Sequence, residues 1–277
     1  MNISLIKKLL ASIIFLAISL PLFSAIPFIN NNNTLIVLDS DSKKPLPDRF
    51  RNITTLNISG SAQFTPEQVA PLKSAINKEN IYIVDLRQES HGFVNDLAIS
   101  FYERDKDLNN GLTSTEVIST ENSLLKAIKI NSSLNIYDKL GKKLDTVTVS
   151  SVSNEDNLLT SNGLKYLRLA VKDAGIPSPL VIDEFVQFIK TKDPATHLHF
   201  HCDAGEGRTT TFMVLYQIMN NTSNLSLEHI LTYQVNMGGI VLTDDSDRAY
   251  FLDAFYNYVE ANKENNYETA FSSWIQE

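Results

Sequence analysis

The sequence predicts an α/β fold with a small β insert, on three observations. Short β-branched runs alternate with helix-period apolar runs along most of the chain, a pattern that builds a sheet flanked by helices. Three of those runs, "IYIVDLR", "YLRLAV" and "HLHFH", are dense enough for strands buried on both faces, as in a parallel sheet. Between them the texture changes to polar and apolar residues at period two, which belongs to half-exposed antiparallel strands.

The first element is not part of that fold. Lys7 and Lys8 precede an apolar run from Leu9 to Leu22, and the small residues Ser24 and Ala25 follow. Basic, apolar and small segments in that order form a secretory signal peptide, here residues 1–25. The run is shorter than the roughly 20 apolar residues that span a bilayer. The expectation is therefore export to the periplasm or beyond, with no stable membrane anchor once the segment is removed. Removal takes two lysines and no acids, moving the formal charge from -8 to -10. Such a chain is not built for nucleic acid or an anionic membrane.

The expected catalytic domain is residues 26–277. Its first part, 26–60, carries Pro, Asn and short β-branched runs and reads as an irregular layer. In "TPEQVAPLKSAI", Thr65 is a candidate N-cap and Pro66 suits the first helical position. The strand "IYIVDLR" leads into a polar turn, "QESHGF". The segments "KINSSLNIYD" and "KKLDTVTVSSV", joined by "KLGKK", place the β insert at about 112–165. Then come a strand "YLRLAV", a loop "DAGIPSP", a helix "LVIDEFVQFI", the strand "HLHFH" and an apolar helix "RTTTFMVLYQIM", with two further helices after it.

The chemistry lies in "HLHFHCDAGEGRTTTF", which holds the only cysteine of the chain. A lone cysteine in an exported protein cannot staple its own chain, and with no resolving partner redox chemistry is disfavoured. The segment runs from strand through Cys202, Asp203, Ala204, Gly205, Glu206 and Gly207 to Arg208 and a helix. A loop entering a helix N-terminus turns backbone amides towards an anion, and Gly205 and Gly207 allow the angles this needs. Phosphate is the anion expected. Inward amides and Arg208 favour the thiolate of Cys202 as nucleophile, while Arg208 offers a planar fork to two phosphate oxygens. Covalent catalysis follows, the sulfur taking the phosphoryl group and water later removing it. Thr209 can donate its hydroxyl to the sulfur, and His201 is expected to bond backbone around the loop and hold Cys202.

The motif His201-Cys202-x5-Arg208-Thr209 resembles the signature of cysteine-dependent protein tyrosine phosphatases. The longer string "HFHCDAGEGRTT" is similar to one branch, the bacterial protein-tyrosine-phosphatase-like phytases, as are "IYIVDLRQESHGF", "YLRLAVKDAGIPSP", "GGI" at 238–240 and "YETAFSSWIQE". The resemblance implies a tyrosine-phosphatase-like central sheet with a partial-barrel β insert, and hydrolysis of myo-inositol phosphates without metal or organic cofactor. An alkoxide leaves badly without a general acid. The resemblance assigns that acid to Asp173, ahead of Asp183 and Asp193, and gives Arg51 a substrate-phosphate contact, with Arg49 and Lys172 assisting. The chain departs from the family at Ala174, where the family has histidine after the acid, at Glu206, where it has a small apolar residue, and in the acidic "VLTDDSDR", where it has lysines. These changes favour a less phosphorylated inositol over phytate.

Two other enzymatic readings stand beside it, a protein tyrosine or dual-specificity phosphatase and a phosphoinositide phosphatase. Two readings are not of this chemistry: a phosphate-binding module, which would need neither nucleophile nor acid, and a metal site formed by His197, His199 and His201 on one strand face. An oxyanion analogue of phosphate should abolish turnover while a chelator leaves it unchanged; inhibition by the chelator alone would indicate the histidine metal site.

Overall fold

The structure, a computed structural model, describes residues 34–103 and 108–276, and the expected signal peptide lies outside them. In chain order the elements are β1 (Leu35–Ser40), β2 (Arg51–Ile53), β3 (Ile58–Ser61), α1 (Val69–Ile76), β4 (Ile81–Arg87), β5 (His91–Val94), β6 (Leu97–Tyr102), α2 (Ser114–Ala127), β7 (Ser133–Tyr137), β8 (Lys143–Thr148), β9 (Val152–Ser153), α3 (Glu155–Ser161), β10 (Lys165–Val171), α4 (Pro179–Thr191), β11 (His197–His201), α5 (Gly207–Met219), α6 (Leu227–Asn236), α7 (Ser246–Asn262) and α8 (Phe271–Trp274). No helix among the described residues is long and apolar enough to cross a membrane.

Five strands form the central sheet in the order β10-β4-β11-β3-β2. β10, β4, β11 and β3 run parallel, and β2 closes one edge antiparallel. Residues 26–60, expected as an irregular layer, thus supply two strands of this sheet. Their runs are too short to signal strands locally, and β3, on which β2 pairs, finds its own partner far along the chain in β11. The polar turn expected at "QESHGF" likewise ends at Ser90, because His91 opens β5.

Both faces of the central sheet are covered, as the dense apolar runs require. Val84 and Leu86 of β4 and Leu198 and Phe200 of β11 meet α4, α5 and α7 in the larger core, which includes Phe185, Phe212 and Phe255. Ile81 and Ile83 point the other way, against Leu72 and Ile76 of α1 and against Phe93. The start of α1 follows its sequence signal. A 3₁₀ turn at Pro66–Gln68 precedes it, and the Gln68 side chain accepts a hydrogen bond from the Thr65 amide at 2.9 Å.

The β insert is larger than the sequence indicated. A second sheet of six strands, β8-β7-β1-β6-β5-β9, draws on residues before and after "IYIVDLR" as well as on the expected segment. Within 112–165 only β7, β8 and β9 are strands, and α2 and α3 flank them. α2 was readable from its own ends: Thr113 caps it and Glu116 bonds back to the Thr113 amide at 2.9 Å. β1 pairs antiparallel with β6 and parallel with β7, which ties the hairpin to the N-terminal strand.

Phe185 on α4 is fully buried, its ring edge-on to Phe212 at 5.2 Å and to Phe200 at 6.4 Å. Phe185→Ala should lower stability by about 3–5 kcal/mol. Thermal unfolding monitored by circular dichroism should register this as a fall of roughly 6–20 °C in Tm.

Candidate active site

Three neighbouring parallel strands end side by side, and each delivers one part of the site. β4 runs on to Glu89, β10 to Asp173 and β11 to Cys202, so the parts converge at the carboxyl edge where open α/β sheets bind ligands. From Cys202 the chain turns through the four residues Asp203, Ala204, Gly205 and Glu206 into α5. The first turn of that helix has amide donors with no intrahelical acceptor, which suits an anion.

Gly205 shows why the loop demands glycine. Its φ is +71°, and a Cβ there would stand 2.8 Å from the Ser61 carbonyl oxygen at the end of β3. The Asp203 carbonyl accepts a hydrogen bond from the Gln63 amide at 3.0 Å, which fastens the loop from the same side. Cys202 is 3% exposed, at the bottom of the loop, and the Thr209 hydroxyl donates to its sulfur at 3.2 Å. Ala204 is exposed, while Gly205 is buried and Glu206 and Gly207 are half-buried.

Arg208 is buried and fully engaged on its two terminal nitrogens. Nη1 donates to Glu89 Oε2 at 2.7 Å and to the Val171 carbonyl at 3.1 Å. Nη2 donates to Glu89 Oε1 at 2.9 Å and to Asp173 Oδ1 at 3.1 Å. A two-pronged pair of this kind fixes the plane of the guanidinium as well as its position. Burial alone would raise the Glu89 carboxyl, but the Arg208 and Arg87 guanidinium groups outweigh it and hold it well below the carboxylate range. Glu89 also receives the Arg87 Nε at 3.0 Å, and Arg87 in turn donates to Asp39 at 3.0 Å and Gln63 at 2.8 Å. A continuous chain of hydrogen bonds therefore runs from β1 of the second sheet to the loop arginine.

His201 differs from expectation. Its Nε2 pairs with Glu155 Oε1 at 2.8 Å, and its Nδ1 is buried without a partner among the described residues. The anchor is thus a carboxylate at the start of α3 and not loop backbone. Glu155 also receives Gln63 at 3.1 Å and faces His91 at 3.2 Å. The other two histidines of the strand pack as satisfied groups: His197 Nε2 and His199 Nδ1 lie 2.8 and 2.9 Å from the Ser59 hydroxyl, and His199 Nε2 lies 3.0 Å from Ser61. Burial lowers His197 to about 4 and holds His199 well below the ordinary imidazole value, so both are neutral near pH 7. Among the described residues, the acidic and histidine groups close enough to surround one metal ion are Asp85, His91 and Glu155. Asp85 is already paired with Arg168 at 2.7 Å, so those carboxylates serve cations of the protein itself.

Arg51 sits behind the loop. It is 7% exposed and donates to the Gly205 carbonyl at 3.0 Å and to the Thr210 hydroxyl at 3.2 Å. Lys172 and Asp173 line a cleft of about 310 Å³ beside the loop, with Glu89, Asp203, Asn109, Lys139 and Leu140 among the other walls. Lys139 comes from the tip between β7 and β8 and pairs with Asp203. Glu206 pairs with Arg49. Both acids of the loop thus carry a cation, which the sequence did not show for "CDAGEG". Sequence pattern alone singles out neither Lys139, in the hairpin connector, nor Glu155, whose partners are set by tertiary contact.

Ala174 follows Asp173 in a turn closed by the Gly175 amide on the Lys172 carbonyl at 2.9 Å, with φ +59°. That is the third position of a type II turn, which ordinarily takes Gly or Asn.

The buried charges set a pH window. Glu155 is held at about 2 against an ordinary 4.5: burial opposes its charge, but His201 and its hydrogen bonds outweigh that. Its contribution is complete above pH 4.5 and is lost as pH falls towards 2. His91 is pushed up to about 10 from 6.5, where Asp85 and Glu121 overcome burial and Arg87. Its contribution is complete below pH 6.5 and declines as pH rises to 10. Tm against pH should plateau between about 4.5 and 6.5, and His91→Gln should flatten the alkaline slope most, with a smaller change on the acid side where His91 also helps to hold Glu155. Gly205→Ala should force the loop away from β3 and lower Tm in the same measurement, because its Cβ would collide with Ser61 and Ala62.

Comparison with known proteins agrees with this arrangement. The family model for protein-tyrosine-phosphatase-like phytases, described as "Inositol hexakisphosphate", matches residues 84–220. A phytase of this type from Bdellovibrio bacteriovorus is 30% identical, with a TM-score of 0.75 over 88% of this chain and 95% of that one. The tyrosine-phosphatase-like myo-inositol phosphatase of Mitsuokella multacida, solved with myo-inositol-(1,3,4,5)-tetrakisphosphate, is 32% identical, with a TM-score of 0.79 over 89% of this chain and 49% of that one. The effector protein hopD2 of Pseudomonas syringae pv. tomato is 31% identical over 242 residues, 80% of this chain and 52% of the effector. This chain spans about half the length of the last two. With the Bdellovibrio protein matched along nearly its whole length, the chain belongs to the protein-tyrosine-phosphatase-like phytases.

Proposed function

We propose that the protein hydrolyses phosphomonoesters of myo-inositol through a phosphocysteine intermediate. One observation carries the reading: Cys202, capped by Thr209 at 3.2 Å, opens a loop whose buried arginine is joined at 3.1 Å to the one carboxylate that follows β10. Nucleophile, anion clamp and acid are within one cluster, and a binding module needs only the clamp.

In this mechanism the phosphoryl group enters the loop and its oxygens take the loop amides and the Arg208 fork. Asp173 gives up its contact with Nη2 and turns to the leaving oxygen. Cys202 Sγ attacks phosphorus, the P–O ester bond breaks, and the proton of Asp173 goes to the departing alkoxide. A water then attacks the phosphocysteine with Asp173 as base, and the P–S bond breaks to release phosphate. The Thr209 hydroxyl stabilises the sulfur anion as it leaves. Glu89 keeps the guanidinium fixed throughout, so the clamp needs no reorganisation as charge spreads in the transition state.

The substrate favoured is an inositol carrying several phosphates but not the full set. Lys139 and Lys172 line the cleft, Lys139 paired with Asp203, and Arg49 beside the loop is paired with Glu206. The acidic stretch 244–247 adds no cation. The Mitsuokella relative, solved with a tetrakisphosphate, supports the same class. The basic, apolar and small segments at the start of the sequence support action outside the cytoplasm.

Phosphate release from phytate, lower inositol phosphates, phosphoinositides and phosphotyrosine peptides tests this. Wild type should turn over lower inositol phosphates fastest, and Cys202→Ser should be inert on all. Phosphopeptides outrunning inositol phosphates would move the substrate class while leaving the chemistry intact. Asp173→Asn should lower kcat on inositol phosphates by about 10²–10⁴ with little change in KM.

A further inference from the structure

Arg248 occupies a position that the mechanism above does not use. It lies in the first turn of α7, 7% exposed, far in sequence from every part of the site. Its Nη2 donates to the carbonyls of Ala174 and Gly175 at 3.1 and 3.2 Å. Its Nη1 lies 3.4 Å from the place a Cβ on Gly207 would take, so the same guanidinium rests on the loop where α5 begins. The N-terminus of α7 is itself fixed by Asp245, which accepts from the amides of Asp247 and Arg248 at 3.0 and 3.2 Å.

The turn that Arg248 holds has reason to need holding. Ala174 is at φ +59°, a conformation that an L-residue with a Cβ disfavours, and no glycine or asparagine relieves it. Asp173 anchors the turn through Arg208 at 3.1 Å. That anchor is the one a bound phosphoryl group competes for. The backbone contacts to Arg248 do not involve Nη2 of Arg208, so they can hold the turn over the loop while phosphate takes that nitrogen. A general acid has to stay within hydrogen-bond reach of the leaving oxygen, about 2.6–3.2 Å, to be effective.

We propose that Arg248 is a positioning residue: by binding the Ala174 and Gly175 carbonyls while packed on Gly207, it registers the Asp173 turn against the nucleophile loop in the substrate-bound state. The inference rests on the phosphomonoesterase reading, with Asp173 as its acid. It does not depend on inositol as the alcohol.

The test is the leaving-group dependence of Arg248→Met beside Arg248→Lys. For an aryl phosphate whose phenol is strongly acidic and departs unaided, Arg248→Met should keep kcat within about threefold of wild type. For alkyl phosphates and lower inositol phosphates, kcat should fall at least tenfold with KM little changed, and Arg248→Lys should recover part of it. In the Asp173→Asn background the Arg248→Met change should cost nothing further. An equal fall on every leaving group, or full additivity with Asp173→Asn, would overturn the inference. Hydrogen exchange gives a readout without turnover: the Gly175 amide should exchange at least tenfold faster in Arg248→Met, with α7 unchanged, and unchanged exchange at Gly175 would sink the proposal. If aryl phosphates are hydrolysed and inositol phosphates are not, the substrate reading fails while the aryl series still decides the role of Arg248.

Discussion

The buried, two-pronged pair between Arg208 and Glu89 is the constraint on which the rest of the site depends. A guanidinium removed from water is costly unless its charge and its donors are met, and a phosphate-binding site has to be empty for part of every cycle. Glu89 supplies the charge and two acceptors, the Val171 carbonyl a third, and the fork therefore has the same orientation whether or not an anion is present. Losing Glu89 would leave the buried guanidinium with Asp173 as its remaining counter-charge at the loop. The pair thus ties the integrity of the fold to the geometry of the site.

Glu89 in turn is held by the second sheet. Arg87 grips it from β4, and Asp39 on β1 grips Arg87, while Gln63 passes the network to Glu155 and so to His201. The histidine before the nucleophile and the arginine after it are therefore two ends of one hydrogen-bonded set. The β insert is accordingly more than a wall of the cleft. It supplies the counter-charges beneath the loop and, through Lys139, a cation at its rim.

What was legible in the sequence divides along physical lines. The strands "IYIVDLR", "YLRLAV" and "HLHFH" announce themselves because both of their faces are buried, so nearly every position is apolar or paired. The loop from Cys202 to Arg208 is legible because its chemistry needs particular residues in consecutive order, and Thr209, directly after that arginine, is read as part of the same motif. β1, β2 and β3 were not legible, since strands of three to six residues draw their stability from partners remote in sequence. His201 was assigned a backbone partner because the nearest groups in sequence are backbone. Its partner, Glu155, is brought by α3 from 46 residues earlier in the chain. Arg49 and Lys139 were invisible as counter-charges for the same reason, and the loop acids consequently looked more repulsive to phosphate than they are.

The way the second sheet is assembled has a consequence for how such a protein can change. Its strands come from three separate stretches, with β1 interleaved between the hairpin and β6, so the unit cannot be excised or transplanted as a cassette without unravelling the central sheet's network. The bend between β7 and β8 is exempt: residues 138–142 hang from one hairpin, with Leu140 95% exposed and Lys139 reaching the catalytic loop. Divergence in ligand preference has a cheap route there, by lengthening, shortening or recharging five residues while the scaffold stays as it is.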